Sequence, residues 1–357
     1  MTARLHPLAA NSRTTSARPT MRDIAQLAGG VHPSTVSLAL RNHPGISEVT
    51  RKRVRAAARK LGYRPDPLLD AFNTHRLEIL PHRAPPVIAL VADFESRHAL
   101  EKSPQHAEIL AGARAAADML HCQTELFLVG KSQLSSERLH SILHARGIVS
   151  VVILACRTIT SDLSLKWDDY SAVKIESPHL PIPLCTLSSD QRQAARLAVR
   201  RLHAAGYNRL GLATHRGGDA RHDDLYRAGF VLEQCRSGDA TAIPPLELTE
   251  DLPVDVIISW IRRHSIDAIV SDSIDLPATL ASGGFRTPED VAFVGLDVTG
   301  NSRLSGITPD HMRVGAQAVE QVVGQMRTNQ RGLPPTASCT YVPVGWQEGQ
   351  SVRSSHH

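Results

Sequence analysis

Apolar positions recur at two different spacings along the chain, and the change of spacing divides it. Between Thr20 and Pro65, Met21, Ile24, Leu27 and Ala28 fall at helical intervals. Gly29 and Gly30 stop that helix, and Pro33 restarts the chain at a first-turn position, where its missing N–H costs nothing. Val36, Ala39 and Leu40 give a second helix its buried face. A third, capped by Ser47 with Glu48 at its positive end, packs through Val49, Val54, Ala57 and Leu61. The pattern predicts three short helices with a DNA-reading turn between the first two.

Beyond residue 86 the spacing shortens. VIALVAD from Val87 leads to a helix over about 107–120, then TELFLV, a helix near 136–145, and VSVVIL. After Leu187 the series restarts: a helix over 192–204, RLGLAT, a helix over 225–235, another near 254–264, DAIVS and VAFVGL. Short β-branched runs joined by amphipathic helices imply parallel sheets buried on both faces. The fold class is therefore α/β: an N-terminal all-α helix-turn-helix head and a body of two lobes with doubly wound parallel sheets. Ligands of such sheets sit beyond the strands' carboxyl ends, here between the lobes. The expected organisation is an arm at 1–19, a head at 20–65, a hinge helix and linker at 66–85, and a body at 86–350. Lobe 1 takes about 86–187 and 299–327, and lobe 2 about 188–297 and 330–350.

Charge narrows the partners. The second helix leaves Pro33, Ser34, Thr35, Ser37, Leu38 and Arg41 pointing away from its core, which suits a major groove. Arg51, Lys52, Arg53, Arg55, Arg59 and Lys60 surround the third helix. Residues 1–83 hold 14 Lys+Arg against 5 Asp+Glu, whereas the whole chain carries only +5, so the basic character is local. Clustered cations are what phosphate neutralisation requires. A membrane surface also attracts cations, but these helices lack the broad apolar face of interfacial insertion, and no apolar run is long enough to span a bilayer. Residues 1–19 lack the apolar run of a secretory signal and read as a disordered basic arm. Cys122, Cys156, Cys185, Cys235 and Cys339 are scattered singly, which fits a reducing compartment and neither a disulfide framework nor a zinc finger.

Catalytic signatures are missing. No GxSxG, phosphate-cradling glycine loop or HExxH occurs, and Gly217-Gly218 and Gly283-Gly284 read as turns. His215, Asp219, His222, Asp223 and Asp224 cluster without a metal-ligand spacing and read as a solvated loop. No enzyme activity, cofactor or metal is expected.

The segments DIAQLAG, STVSLAL, RN, IS, TR and LGYRP resemble the head of the LacI/GalR family of bacterial transcription regulators. The likeness continues through VIALVADF, DQRQAARLAVRRLHAAGYNRLGLAT, AGF, DAIVSDS and TPEDVAFVGLD. The resemblance implies a periplasmic-binding-protein-like body and a cytoplasmic homodimer on a pseudo-palindromic double-stranded operator, acting by default as a repressor. The effector held between the lobes is by default a carbohydrate. It puts Thr20, His32, Pro33, Ser34, Thr35, Ser37, Leu38, Asn42, Thr50, Arg51 and Tyr63 among the DNA contacts. Asp66 becomes the cap and Pro67 the first residue of a hinge helix, with Phe72 where the family wedges a leucine into the minor groove. Asp93, Phe94, Tyr226, Ser271, Asp272 and Asp297 become effector contacts, Asp297 at the second crossover between lobes.

Several departures from the family pattern carry consequences. Gly30 is one residue more than the family's AGV, and is expected to keep the insertion in the turn by a positive φ. His32 stands where a capping serine is usual, and caps poorly. Pro33, Ser34 and Leu38 offer no bidentate base contact, so modest direct readout supplemented by Phe72 and DNA shape is expected. Tyr226 replaces an effector-binding arginine, which argues against an acidic ligand held there, and Ser271 is a smaller substitute for an asparagine. Phe94 lines the cleft or belongs to the core, and Trp260 reads as packing beside Ile257 and Ile261. The rival reading is a solute- or partner-sensing binding protein with a degenerate head, supported only by Gly30.

Overall fold

The computed structural model describes residues 19–40, 45–63, 85–130, 133–156, 163–176, 182–215, 224–236 and 243–353. Two compact units divide the chain, 1–83 and 84–357. The arm, the hinge residues Asp66, Pro67 and Phe72, and Asn42 lie outside the described residues, as do the side chains of Ser34 and Ser37.

The head consists of α1 (Met21–Leu27), α2 (Pro33–Leu40) and α3 (Glu48–Lys60). Ile24, Ala25, Ala28, Val36, Ala39, Val54, Ala57 and Ala58 form its core. Two expectations fail. Val49 is 76% exposed and Leu27 43% exposed. Val49 precedes Val54 by five residues, which sets it about 140° around the helix from the buried stripe.

The second unit holds two six-stranded sheets. The first contains β1 (Val87–Asp93), β2 (Gln123–Leu128), β3 (Ser150–Cys156), β4 (Ser171–Ile175), β5 (Cys185–Ser189) and β11 (Cys339–Val342) in the order β2-β1-β3-β4-β5-β11. Every pair in it is parallel. The second contains β6 (Leu210–His215), β7 (Leu246–Leu248), β8 (Ala268–Ser271), β9 (Ala292–Gly295), β10 (Gly306–Pro309) and β12 (Val344–Gln347) in the order β7-β6-β8-β9-β10-β12. Only β12 runs antiparallel to its neighbour. Helices cover both faces of the first sheet: Ile88 and Leu90 pack toward α4 (Arg97–Lys102), α5 (Pro104–Met119) and α11 (His311–Arg327), Ala89 and Val91 toward α6 (Ser136–Ala145), while α9 (Val254–His264) and α10 (Leu276–Ser282) pack on the second sheet. That two-sided burial is why β1 is a continuous apolar run.

Strands β4, β5, β7, β10, β11 and β12 went unforeseen, because several carry buried polar residues, among them Ser171, Lys174, Ser188 and Ser189, that mask an apolar run. Their placement corrects the lobe boundaries. All of β5 belongs to the first sheet, β10 to the second, and β11 returns to the first. The chain changes lobe three times, at Asp190, Asp310 and Pro343, so the second crossover is not at Asp297. Two crossings are fixed by capping aspartates: Asp190 accepts from the Gln193 amide at 2.9 Å, starting α7 (Gln191–Ala204), and Asp310 from the Arg313 amide at 2.8 Å, starting α11. The Asp190 amide also donates to the Val342 carbonyl at 2.9 Å, tying the first crossing to the third.

Candidate functional site

In the head, α1 ends in a paired-bond stop of the Schellman type. The Gly30 amide donates to the Ala25 carbonyl at 3.0 Å and the Gly29 amide to the Gln26 carbonyl at 3.3 Å. Both glycines are left-handed, Gly29 at φ 87° and Gly30 at φ 74°. The extra residue is thus spent outside both helices, as a second consecutive left-handed position. A Cβ at Gly30 would meet nothing within 4 Å. Alanine there is expected to cost only the left-handed penalty, about 1–2 kcal/mol, read as lower hydrogen-exchange protection of head amides. Deleting Gly30 is expected to leave DNA binding intact or improved in a gel-shift assay; abolished binding would show that the longer turn is itself functional.

The structure gives several expected DNA contacts an internal task. Thr20 caps α1: its hydroxyl donates to Asp23 Oδ2 at 2.7 Å, and its backbone amide to the same oxygen at 2.6 Å. Those bonds hold the Asp23 carboxyl below its ordinary value. The Thr50 hydroxyl pairs with that of Ser47 at 2.9 Å. Arg51 donates to Glu48 at 2.9 Å and to the Ile46 carbonyl at 3.0 Å, so its guanidinium braces the start of α3. Tyr63 packs against the head core. Facing outward are His32, Leu38 and the cations Lys52, Arg53, Arg59 and Lys60, with Pro33 and Thr35 half-buried. Among the described side chains the outward surface of α3 is cationic.

In the body, strand order reverses direction between β1 and β3 and again between β6 and β8, the positions where open sheets create a crevice. Asp93 ends β1 at the first of these. Its carboxylate lies against Gly130, where a Cβ would sit 2.7 Å from Oδ1, so only glycine admits it. Phe94 stacks edge-on against His106 at 5.0 Å and also packs against the lobe-1 core.

At the second reversal, His215 ends β6 and Asp272 follows β8. Asp272 accepts from the His215 amide at 3.0 Å and meets its Nδ1 at 3.1 Å. His215 therefore belongs to an ordered pair, not to a solvated loop; Asp219, His222 and Asp223 lie outside the described residues. Ser271 is fully buried, and its hydroxyl accepts from the Ser273 amide at 3.0 Å. It caps the turn after β8. Tyr226 is likewise buried, on the stripe of α8 (Leu225–Arg236) shared with Gly229, Phe230 and Glu233. The helical repeat that carries Phe230 inward carries Tyr226 with it.

Asp297 is the most heavily bonded of the expected contacts. One oxygen accepts from Gln105 Nε2 at 2.7 Å and His311 Nε2 at 2.8 Å, and the other from the Thr299 amide at 3.0 Å. Gln105 and His311 stand at the starts of α5 and α11 in lobe 1, whereas Asp297 follows β9 in lobe 2. Burial pushes the Asp297 carboxyl up, but the His311 bond and charge, with the Thr299 bonds, outweigh it and hold the group below its ordinary value. Burial likewise pushes His311 down, and Asp297, with the charges of Glu176 and Glu108, more than reverses this. Nothing local in the sequence signals Gln105, 192 residues away. Among the described residues no group of three metal-ligating side chains occurs, and no helix is long and apolar enough to cross a membrane.

A cationic helix-turn-helix head joined to two doubly wound lobes defines a class of ligand-responsive DNA-binding proteins. A family model described as bacterial regulatory proteins, lacI family, matches residues 20–66. The chain is 28% identical to the HTH-type transcriptional regulator CelR of Thermobifida fusca, over 78% of this chain and 82% of that one. It is 24% identical to the HTH-type transcriptional regulator GntR of Pseudomonas aeruginosa, over 88% and 90%. The solved structure of a CelR–cellobiose complex matches the fold with a TM-score of 0.59 at 22% identity, covering 94% of this chain and 100% of that one. The lac repressor dimer bound to operator and an anti-inducer matches with a TM-score of 0.54 at 18% identity, covering 94% and 99%. The chain carries a lacI-family DNA-binding head at residues 20–66 and is a DNA-binding transcription regulator, similar over most of its length to CelR and GntR.

Proposed function

We propose that this regulator binds a pseudo-palindromic operator as a cytoplasmic homodimer, and that a small carbohydrate between its lobes sets the operator affinity. The observation that carries the effector reading is the set of carboxylates at the strand ends around the cleft: Asp93 from lobe 1, and Asp272 and Asp297 from lobe 2. Acceptors of this kind suit hydroxyl donors, and the absence of an arginine at position 226 disfavours an anionic ligand. The relative CelR, solved with cellobiose, supports the same chemistry.

The mechanism follows from having two lobes and three crossings. A ligand that binds one interlobe arrangement better than another shifts the population toward it. In a dimer that shift changes the separation of the two heads, and operator affinity with it, since both half-sites must be met at once. The cations of α3 supply the sequence-independent part of binding. Retention on duplex DNA is expected to fall with salt at a log–log slope of about −0.9 per phosphate neutralised, and replacing Arg53 by alanine should reduce that slope by about one unit if it meets a phosphate. Binding that ignores salt, or no retention on any duplex in dilute buffer, overturns the reading. Cellobiose and related disaccharides, screened by thermal shift and then by DNA release, test the effector class. The rival of a sensor with a degenerate head rested on Gly30, which the turn accommodates outside both helices.

A further inference from the structure

The loop from Asp297 to Gly300 does more than present a carboxylate to the cleft. It docks on the starts of two lobe-1 helices at once. Gln105 is the second residue of α5 and His311 the first of α11, and both donate to the same Asp297 oxygen. Three residues on, Gly300 fits so closely against Pro104, the first residue of α5, that a Cβ would lie 2.8 Å from its ring. Gly300 is left-handed at φ 80°, the backbone that turns the loop back against that helix. Polar bonds and steric fit are independent observations, and they converge on one contact between the lobes.

We propose that this loop is a charge-locked latch: in the chain without effector, Asp297 of lobe 2 takes Gln105 and His311 of lobe 1 as internal ligands, holding the lobes together and making their closure sensitive to pH. The inference rests on the two-lobed fold and on neither the operator nor the carbohydrate reading. A hydroxyl-bearing ligand that engages the Asp297 oxygen shared by Gln105 and His311 competes with these donors, so the latch and the effector draw on one carboxylate.

The chemistry of the lock is specific. His311 is 2% exposed, and its Nδ1 has no partner among the described residues, so the ring is held by Asp297 through Nε2. The charged groups facing it are Asp297 from the loop, Glu176 from the end of β4 and Glu108 from α5; all three are acidic. Gln105 and the Thr299 amide contribute neutral donors to the same cluster. The His311 pKa lies above its ordinary 6.5 and that of Asp297 below its ordinary 3.8. The lock is therefore complete between those two ordinary values. It weakens as pH rises through the raised histidine value, and again as pH falls through the lowered aspartate value.

Hydrogen exchange of the full-length protein without ligand, corrected for intrinsic rates and followed from about pH 5 to about pH 9, reads the latch directly at the Thr299 amide. Protection should fall by about tenfold or more as His311 deprotonates. His311→Gln keeps a neutral donor and should hold protection flat across the range. Gln105→Ala should lower protection throughout while leaving the midpoint in place. Wild-type protection that does not vary with pH, or a His311→Gln protein that keeps the same titration, overturns the proposal. Should that variant not fold, the His311 ring resonance in the wild type decides: its titration must share a midpoint with loss of Thr299 protection, and separate midpoints overturn the latch.

Discussion

Valine at Gly315 is expected to destabilise the body by about 3 kcal/mol or more, seen as a lower denaturant midpoint for the body transition with little change in its slope. Helices α5 and α11 cross with their backbones in contact. A Cβ at Gly315 would lie 2.1 Å from the Ile109 carbonyl oxygen, and one at Gly112 would lie 1.9 Å from that of Met312. The obstructing atoms are main chain, so no rotamer change relieves the clash and the two helices have to part. Parting them strips contacts from Ile109, Ala113, Val314 and Ala318 in the lobe-1 core. It also displaces the helix starts that carry Gln105 and His311, so protection of the Thr299 amide should fall in the same variant. Alanine at Gly324 is the internal control. It sits in α11 with nothing within 4 Å of its Cβ position, and should instead stabilise by about 0.5–1 kcal/mol through helix propensity. Equal losses at both positions would mean that backbone contact is not what the crossing glycine provides.

What the sequence disclosed, and what it hid, follows from how far each signal travels along the chain. Ser47, the Gly29-Gly30 pair and the stripe from Val54 to Leu61 act within a few residues, so the head could be read almost helix by helix. Strands buried on both faces, such as VIALVAD, announced themselves for the same reason. Strands β4 and β5 did not, because Lys174 and Ser188 are buried polar groups whose partners come from elsewhere: the Lys174 ammonium donates to the Ile182 carbonyl at 3.0 Å and the Gln191 amide to the Ser188 hydroxyl at 3.0 Å. The cleft was legible only in part. Asp93, Asp272 and Asp297 stand at strand ends, where the α/β rule puts ligand contacts. Ser271 and Tyr226 are buried, which a local sequence pattern does not reveal. Gln105, His215 and His311 came from segments whose patterns say nothing about their partners. The crossover expected at Asp297 moved to Asp310 because β10 adds one further strand to the second sheet before the chain returns.

Removing the Asp297 carboxylate should be the costliest single polar change in the body. Asp297→Ala leaves His311 buried with its principal counter-charge gone, and breaking such a pair from one side costs about 3–5 kcal/mol. The lower end is expected here, because the Asp297 side chain retains 14% exposure and Glu176 and Glu108 still face the ring. The loss should also depend on pH with a definite sign. In the wild type the raised histidine value means that stability from the pair is present at acid pH and lost as pH rises through it. Without Asp297, burial dominates and the ring resists its proton, so the variant is penalised at acid pH and relieved by deprotonation above it. The gap between the two proteins should therefore widen as pH is lowered from about 8 to about 6, measured by denaturant titration at each pH. Pairing the change with His311→Leu removes the stranded charge, and the double variant should recover much of the lost stability, with a coupling energy above about 1 kcal/mol. A loss below about 1 kcal/mol at every pH, or a double variant no better than Asp297→Ala, would show that the two side chains are neighbours without being a pair.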